Sequence, residues 1–335
     1  MNALELRNYL RSVSTENLKL SLMIWGAPGI GKSTIVSEVA KESKREVIDL
    51  RLSQLAPTDL RGLPVPDNHK GISRWFPPEF LPTEGKGILF LDELNMAPPA
   101  MQGMAQQLIL DRKVGSYSLP DEWLVWSAGN RKEDKASVFE MPAPLSNRFI
   151  HLNIEADLES FKIYSLAQGL SDQIISFLSF RPELLHKMDD NHNAWPSPRT
   201  WMMADQLLDI GLDISVCVGE GPAQEFYAFI DIYKKIPDLS EILKGNTKNI
   251  SFPENPATRY AVVIGLIARM RKIKDGMNAF KWLINNAPPE WVQLYSSDLF
   301  KVMREKGAIE EFKKELMNQK EIMKHINKLK SLLDY

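Results

Sequence analysis

One run of eight residues narrows what this chain can fold into more than any other. Gly26-Ala27-Pro28-Gly29-Ile30-Gly31-Lys32-Ser33 fits G-x-x-x-x-G-K-[ST]. The apolar segment before it, Leu18 to Trp25, reads as a strand. After it, Ile35, Val36, Val39 and Ala40 recur on one face of a helix over Ser33 to Ser43. Strand, glycine loop and helix in that order make a phosphate cradle. Glycines let successive backbone N–H groups converge on an anion, and the helix start adds unsatisfied N–H groups and the positive end of its dipole. Gly26, Ala27, Pro28, Gly29, Ile30, Gly31, Lys32, Ser33 and Thr34 are therefore read as nucleotide-binding. Lys32 reaches the β- and γ-phosphates, and the Ser33 hydroxyl is read as a ligand of Mg²⁺.

Glu46 to Arg51 reads as a further strand, Gly87 to Asp92 as a continuous apolar one, and Trp123 to Ala128 and Phe149 to Ile154 as two more strand candidates, with a helical pattern over Pro99 to Leu110. Strands alternating with helices argue for an α/β fold, a parallel five-stranded sheet with helices on both faces. Ala56 to Pro82 breaks the rhythm, because six of the 21 prolines fall there. Prolines at that density exclude a long helix and suggest an inserted hairpin between the second and third strands. Gly87 to Asp92 ends in Asp92-Glu93. Ligands of open α/β sheets sit beyond the carboxyl ends of the strands, so Asp92 is placed beside Mg²⁺. Glu93 follows as the general base that orients water toward the γ-phosphate.

Four more features, in order, give the chain its resemblance. They are Asp59-Leu60-Arg61-Gly62-Leu63-Pro64, Asp92-Glu93-Leu94-Asn95-Met96-Ala97-Pro98-Pro99, Ser127-Ala128-Gly129-Asn130 and Pro144-Leu145-Ser146-Asn147-Arg148-Phe149. From about Leu18 to Ile154 the sequence resembles the AAA+ ATPases, within them the MoxR-like and dynein-related branch. The resemblance implies a P-loop NTPase fold that binds and hydrolyses Mg-ATP. It implies a sensor role for Asn130 and an arginine finger at Arg148, donated to the neighbouring subunit of a ring, by family habit a hexamer. Arg131, next to Asn130, is the rival finger. Arg199, in Pro196-Ser197-Pro198-Arg199-Thr200, resembles the nucleotide contact that opens the sensor 2 helix of a lid. Met96 stands where many relatives carry arginine, so no basic contact is carried over there. The family habit further implies a protein client, a von Willebrand A-like protein, that the ATPase remodels or activates.

After Glu155 the strand signals fade. Helical patterns cover Leu158 to Gly169, Ser171 to Phe180, Arg199 to Ile210, Ala223 to Lys235, Arg259 to Lys272 and Gly307 to Leu333, with a linker at Gly245 to Pro256. The last helix is expected to align Ile309, Phe312, Leu316, Met323, Ile326 and Leu329 on one face. The chain is accordingly divided into a nucleotide-binding domain (1–155, with the proline-rich insert at 56–82), a helical lid (156–244) and a helical C-terminal extension (245–335).

Composition removes several function classes. With 41 basic and 43 acidic residues the net charge is −2, which argues against a surface given over to nucleic acid. The single cysteine, Cys217, excludes an internal disulfide framework. The longest apolar run, Ala261 to Ala268, has 8 residues, where a membrane helix needs about 20. A cytoplasmic protein with no membrane contact is the expectation. Two alternatives share the phosphate site, a nucleic-acid-processing motor and a regulatory switch with little turnover. A guanine switch is disfavoured, since no Asn-Lys-x-Asp occurs.

Overall fold

The computed structural model describes residues 1–134, 138–189, 192–234 and 236–324. The chain divides into two compact units, Met1–Ala156 and Asp157–Tyr335.

In the first unit, helix α1 (Ala3–Thr15) opens on a reciprocal cap. The Asn2 side chain accepts from the Glu5 N–H, and the Glu5 carboxylate accepts from the Asn2 N–H. Then come β1 (Leu22–Trp25), α2 (Lys32–Glu42), β2 (Glu46–Arg51), α3 (Pro57–Arg61), β3 (Leu63–Asp67), β4 (Ile72–Phe76), β5 (Gly87–Asp92), α4 (Pro99–Asp111), β6 (Lys113–Val114), β7 (Tyr117–Ser118), β8 (Trp123–Gly129), α5 (Ala143–Ser146) and β9 (Ile150–Asn153). Five strands form one parallel sheet in the order β2-β5-β8-β1-β9. The expected five-stranded parallel sheet is thus present, and helices cover both its faces.

Residues alternate across a strand, so each central strand feeds two cores. Ile88, Phe90, Leu124 and Trp126 pack with Leu6 and Leu10 of α1 and Val36 and Val39 of α2. Leu89, Leu91, Trp123 and Val125 pack on the other side with Met101, Ala105 and Leu108 of α4. The inserted hairpin is real: β3 and β4 pair antiparallel, Leu63 opposite Phe76.

Element boundaries differ from expectation in places. The first strand begins at Leu22 rather than Leu18, because the chain at Leu18 is still closing α1 through its N–H to the Val13 carbonyl. Leu18 and Leu20 consequently stay exposed.

The second unit is helical: α6 (Leu158–Gln168), α7 (Asp172–Phe180), α8 (Pro198–Asp209), α9 (Ser215–Val218), α10 (Glu220–Tyr233), α11 (Leu239–Lys244), α12 (Pro256–Ala268), α13 (Ile273–Asn286), α14 (Pro289–Glu305) and α15 (Ile309–Met317). Phe177 anchors one aromatic cluster, its ring centroid 5.6 Å from Trp201 and 5.5 Å from Phe226. The helix expected over Gly307 to Leu333 instead breaks after Met317, where Asn318 and Gln319 close on carbonyls three residues back. The break turns Ile322, not Met323, into the core, so the single expected face does not continue. Ile326 and Leu329, like Lys235 at the end of another expected helix, lie outside the described residues. Helices α13 and α14 were not anticipated from the sequence.

Candidate nucleotide site

The phosphate loop sits at the carboxyl end of β1, between β8 and β9. Gly31 is the N-cap of α2 with φ at +96°, a conformation that favours glycine, and it carries no side chain to cap the first-turn N–H groups. Those groups stay available to an anion. Ala27 and Ile30 are buried and hold the loop on the sheet. Thr34 is exposed on the first turn of α2.

Lys32 is buried, and its ammonium ties three chain segments together. Nζ donates to the Gly26 carbonyl at 2.6 Å, to the Ala27 carbonyl at 3.0 Å and to Oδ1 of Asn130 at 3.0 Å. Ser33 Oγ donates to Oδ2 of Asp92 at 2.9 Å, so the last residue of β5 meets the first turn of α2. The Glu93 N–H donates to the other Asp92 oxygen at 2.8 Å. Lys32 with Ser33, Asp92 and Asn130, from three stretches far apart in sequence, therefore converge on one place, and Glu93 adjoins them.

Glu93 itself is held in the left-handed region, with φ 57° and ψ 31°. For a residue with a Cβ that is strain of about 1–3 kcal/mol, and it collects where function requires it. The Glu93 carboxylate accepts from the Ser53 hydroxyl. Ser53 follows β2, the strand beside β5, and no pattern in the sequence singles it out.

Asn130 owes its position to Asn95. Asn95 is buried; its Nδ2 donates to the Asn130 carbonyl at 2.7 Å, and its Oδ1 accepts from the Asn130 N–H at 3.3 Å. Gly129 makes this possible: a Cβ there would stand 2.3 Å from Asn95 Oδ1. Asn130 Nδ2 faces the sulfur of Met96 at 3.4 Å. The sequence marked Asn95 as part of a motif but gave it no task.

Burial and then the Asp92 charge push the Asp49 carboxyl above its ordinary range; Arg51 opposes this and Glu93 adds to it. The Ser33 hydroxyl and the Asp92 carboxylate are paired oxygen donors, the type that suits a small hard dication. Among the described residues no group of three or more His, Cys, Asp or Glu side chains could hold a metal unaided.

The two arginine candidates lie in different settings. Arg131 is held within its own unit: its Nε donates to Asp134 Oδ2 at 3.2 Å, one terminal nitrogen meets Oδ1 at 3.1 Å, and Glu155 lies 3.7 Å from the other. The Asp134 hydrogen bond holds the proton of that guanidinium more tightly than usual. Arg148, in the turn between α5 and β9, is exposed and makes no side-chain hydrogen bond or ion pair among the described residues. It is not gathered to the Lys32–Asp92 cluster of its own chain by any such contact. Arg199 is exposed on the first turn of α8 in the second unit, behind a cap in which Ser197 and Thr200 bond reciprocally.

Residues 22–123 match the family described as ATPase family associated with various cellular activities (AAA). A stretch of 159 residues is 23% identical to Midasin of Giardia intestinalis; it covers 45% of this chain and only 3% of the length of that relative. Among solved structures, the RuvB Holliday junction branch migration motor of Thermotoga maritima aligns at 15% identity and TM-score 0.40, over 84% of this chain and 87% of that one. NtrX of Brucella abortus in complex with ATP aligns at 15% identity and TM-score 0.41, over 91% and 68%. Among the described residues no helix is long and apolar enough to cross a membrane.

Proposed function

We propose that the chain, whose residues 22–123 match the AAA ATPase family, hydrolyses ATP at sites shared between the subunits of a homo-oligomeric ring, a hexamer by family resemblance. We propose further that it uses this turnover to remodel or activate a protein partner in the cytoplasm, in the manner of the MoxR-like branch. A von Willebrand A-like protein is the client that resemblance suggests. In this reading 1–155 binds nucleotide, 156–244 is the lid and 245–335 the helical extension.

One contrast supports the shared site above all. Lys32, Ser33, Asp92, Glu93 and Asn130 gather at the ends of three strands, while the guanidinium of Arg148 stays in solvent. Lys32 and the loop N–H groups bind the phosphates. Glu93 accepts a proton from the attacking water, and Asn130 orients that water with a neutral amide. Arg148 completes the pocket of the next subunit, where a planar fork matches phosphate oxygens. Head-to-tail contacts of this type close into a ring when their rotation permits. Ser33 Oγ and Asp92 would hold Mg²⁺, and the Ser33–Asp92 hydrogen bond, which joins two oxygen donors, fits that role. Bound there, Mg²⁺ offsets charge on the phosphate oxygens. Arg199 is assigned to nucleotide through the lid.

The test is ATPase activity against protein concentration for wild type, Glu93→Gln and Arg148→Ala, with mass measured with and without ATP. Glu93→Gln should bind ATP, assemble and fail to turn over. Arg148→Ala should bind ATP and lose roughly 10³-fold or more in rate. Wild-type turnover by an isolated monomer would overturn the shared site.

A further inference from the structure

The residue that precedes the phosphate loop and the turn that carries Arg148 are joined by one imidazole. His151 lies on β9, aligned with Met23 of β1. Its Nδ1 is 2.8 Å from the indole Nε1 of Trp25, and its Nε2 is 2.8 Å from the Ser146 carbonyl oxygen. An indole N–H only donates and a carbonyl only accepts. Nδ1 must therefore accept and Nε2 must donate, which requires the neutral ring in its Nε2–H tautomer. The two rings lie side by side and nearly coplanar, with centroids 6.0 Å apart and 14° between planes, and Phe149 meets the imidazole edge-on at 6.3 Å.

Both ends of this bridge matter. Trp25 closes β1, and Gly26 follows it directly. Ser146 closes α5, and its carbonyl also accepts from the Phe149 N–H at 3.2 Å. Between Ser146 and Phe149 stand Asn147 and Arg148, whose N–H donates to the Leu145 carbonyl at 3.1 Å. Leu145 and Phe149 are buried and set where the turn sits; the His151–Ser146 bond sets how it is angled. We propose that His151 is a positioning residue, which fixes the turn bearing Arg148 to the root of the phosphate loop so that the guanidinium is presented at a constant angle to the neighbouring subunit.

The proposal rests on the reading of Arg148 as a residue acting on the next subunit, and the experiment separates the two. Steady-state ATPase and ATP affinity are measured for wild type, Arg148→Ala, His151→Ala, His151→Gln and the double variant Arg148→Ala/His151→Ala. His151→Ala should keep the ATP Kd of wild type and lose roughly 10- to 100-fold in kcat, the scale of a misplaced catalytic group. The double variant should be no worse than Arg148→Ala, because both changes remove one function. Glutamine offers one acceptor and one donor, so His151→Gln should retain most of the turnover. Mixing His151→Ala with Glu93→Gln subunits should give more activity than either alone, since an intact Arg148 from one then faces an intact Glu93 in the other.

Loss of ATP binding in His151→Ala, a double variant worse than Arg148→Ala, or no gain on mixing would overturn the proposal. So would wild-type kcat in His151→Ala beside an impaired Arg148→Ala, which leaves the shared site standing. Wild-type kcat in Arg148→Ala would remove the shared site and the positioning role with it.

Discussion

Asn95→Ala tests whether Asn130 is placed by its neighbour or by its own strand. The side chain of Asn95 is 4% exposed and makes two hydrogen bonds to the Asn130 backbone, 2.7 Å to the carbonyl and 3.3 Å from the N–H. Truncation removes both and leaves two main-chain groups short of a partner in a part-buried site. The longer bond contributes little, while the shorter one and the stranded carbonyl together are worth about 2–3 kcal/mol. For a unit of this size each kcal/mol moves the midpoint by roughly 2–4 °C, so Tm should fall by about 4–12 °C. The second consequence is kinetic. Asn130 Oδ1 meets Lys32 Nζ at 3.0 Å, and a drift of about 1 Å costs up to roughly 100-fold. kcat should therefore fall about 10- to 100-fold, with ATP affinity little changed. Calorimetry and steady-state ATPase read the two effects. Asn95→Asp refines the test, because a carboxylate accepts from the Asn130 N–H but faces its carbonyl with no donor. It should resemble Asn95→Ala. A Tm and kcat equal to wild type in Asn95→Ala would refute the reasoning.

Other changes probe separate parts of the molecule. Asp92→Asn keeps the shape beside Ser33 but removes the carboxylate charge that a dication meets; ATPase should need roughly 10-fold more Mg²⁺, read by titration at fixed ATP. Lys162 and Asp298 form a buried pair in the second unit, Nζ to Oδ2 at 2.9 Å, with exposures of 2% and 1%. Lys162→Met strands the Asp298 carboxylate and should cost about 3–5 kcal/mol in denaturant unfolding at pH 7, whereas Lys162→Met/Asp298→Leu should recover most of it. Burial already pushes Asp298 above the ordinary carboxylate range, and Lys162 only partly opposes this. Without Lys162 the folded state binds a proton more tightly than the unfolded chain. The deficit of Lys162→Met should therefore grow as pH rises above the unfolded value of about 3.9, and shrink as pH falls toward it. A deficit independent of pH between 4 and 7 would refute this.

The parallel sheet was legible because its central strands are short apolar runs and each phosphate-binding residue stands at a fixed offset from the end of one. Leu22–Trp25 and Gly87–Asp92 give themselves away by composition, and Lys32, Ser33, Asp92 and Glu93 by spacing. Helices α13 and α14 were not legible. Their apolar residues, such as Phe280, Trp282, Tyr295 and Leu299, are interleaved with polar ones, and they bury a face only against other helices of the same unit. The helix expected through Met323 failed for a related reason: a face at helical spacing does not reveal that Asn318 and Gln319 will close a turn and hand the core to Ile322.

Local chemistry along the chain was enough to decide that a phosphate cradle with an adjoining acidic strand end would form, since glycine conformation, helix dipole and apolar periodicity act within about ten residues. Contacts between residues distant in sequence had to wait for the fold. Ser53 on Glu93, Asn95 on Asn130 and His151 between Trp25 and Ser146 are isolated hydrogen-bonded contacts between strand ends and turns. Such a bond has no periodicity and no composition of its own. It exists only once the sheet order has brought those ends to within about 3 Å of each other.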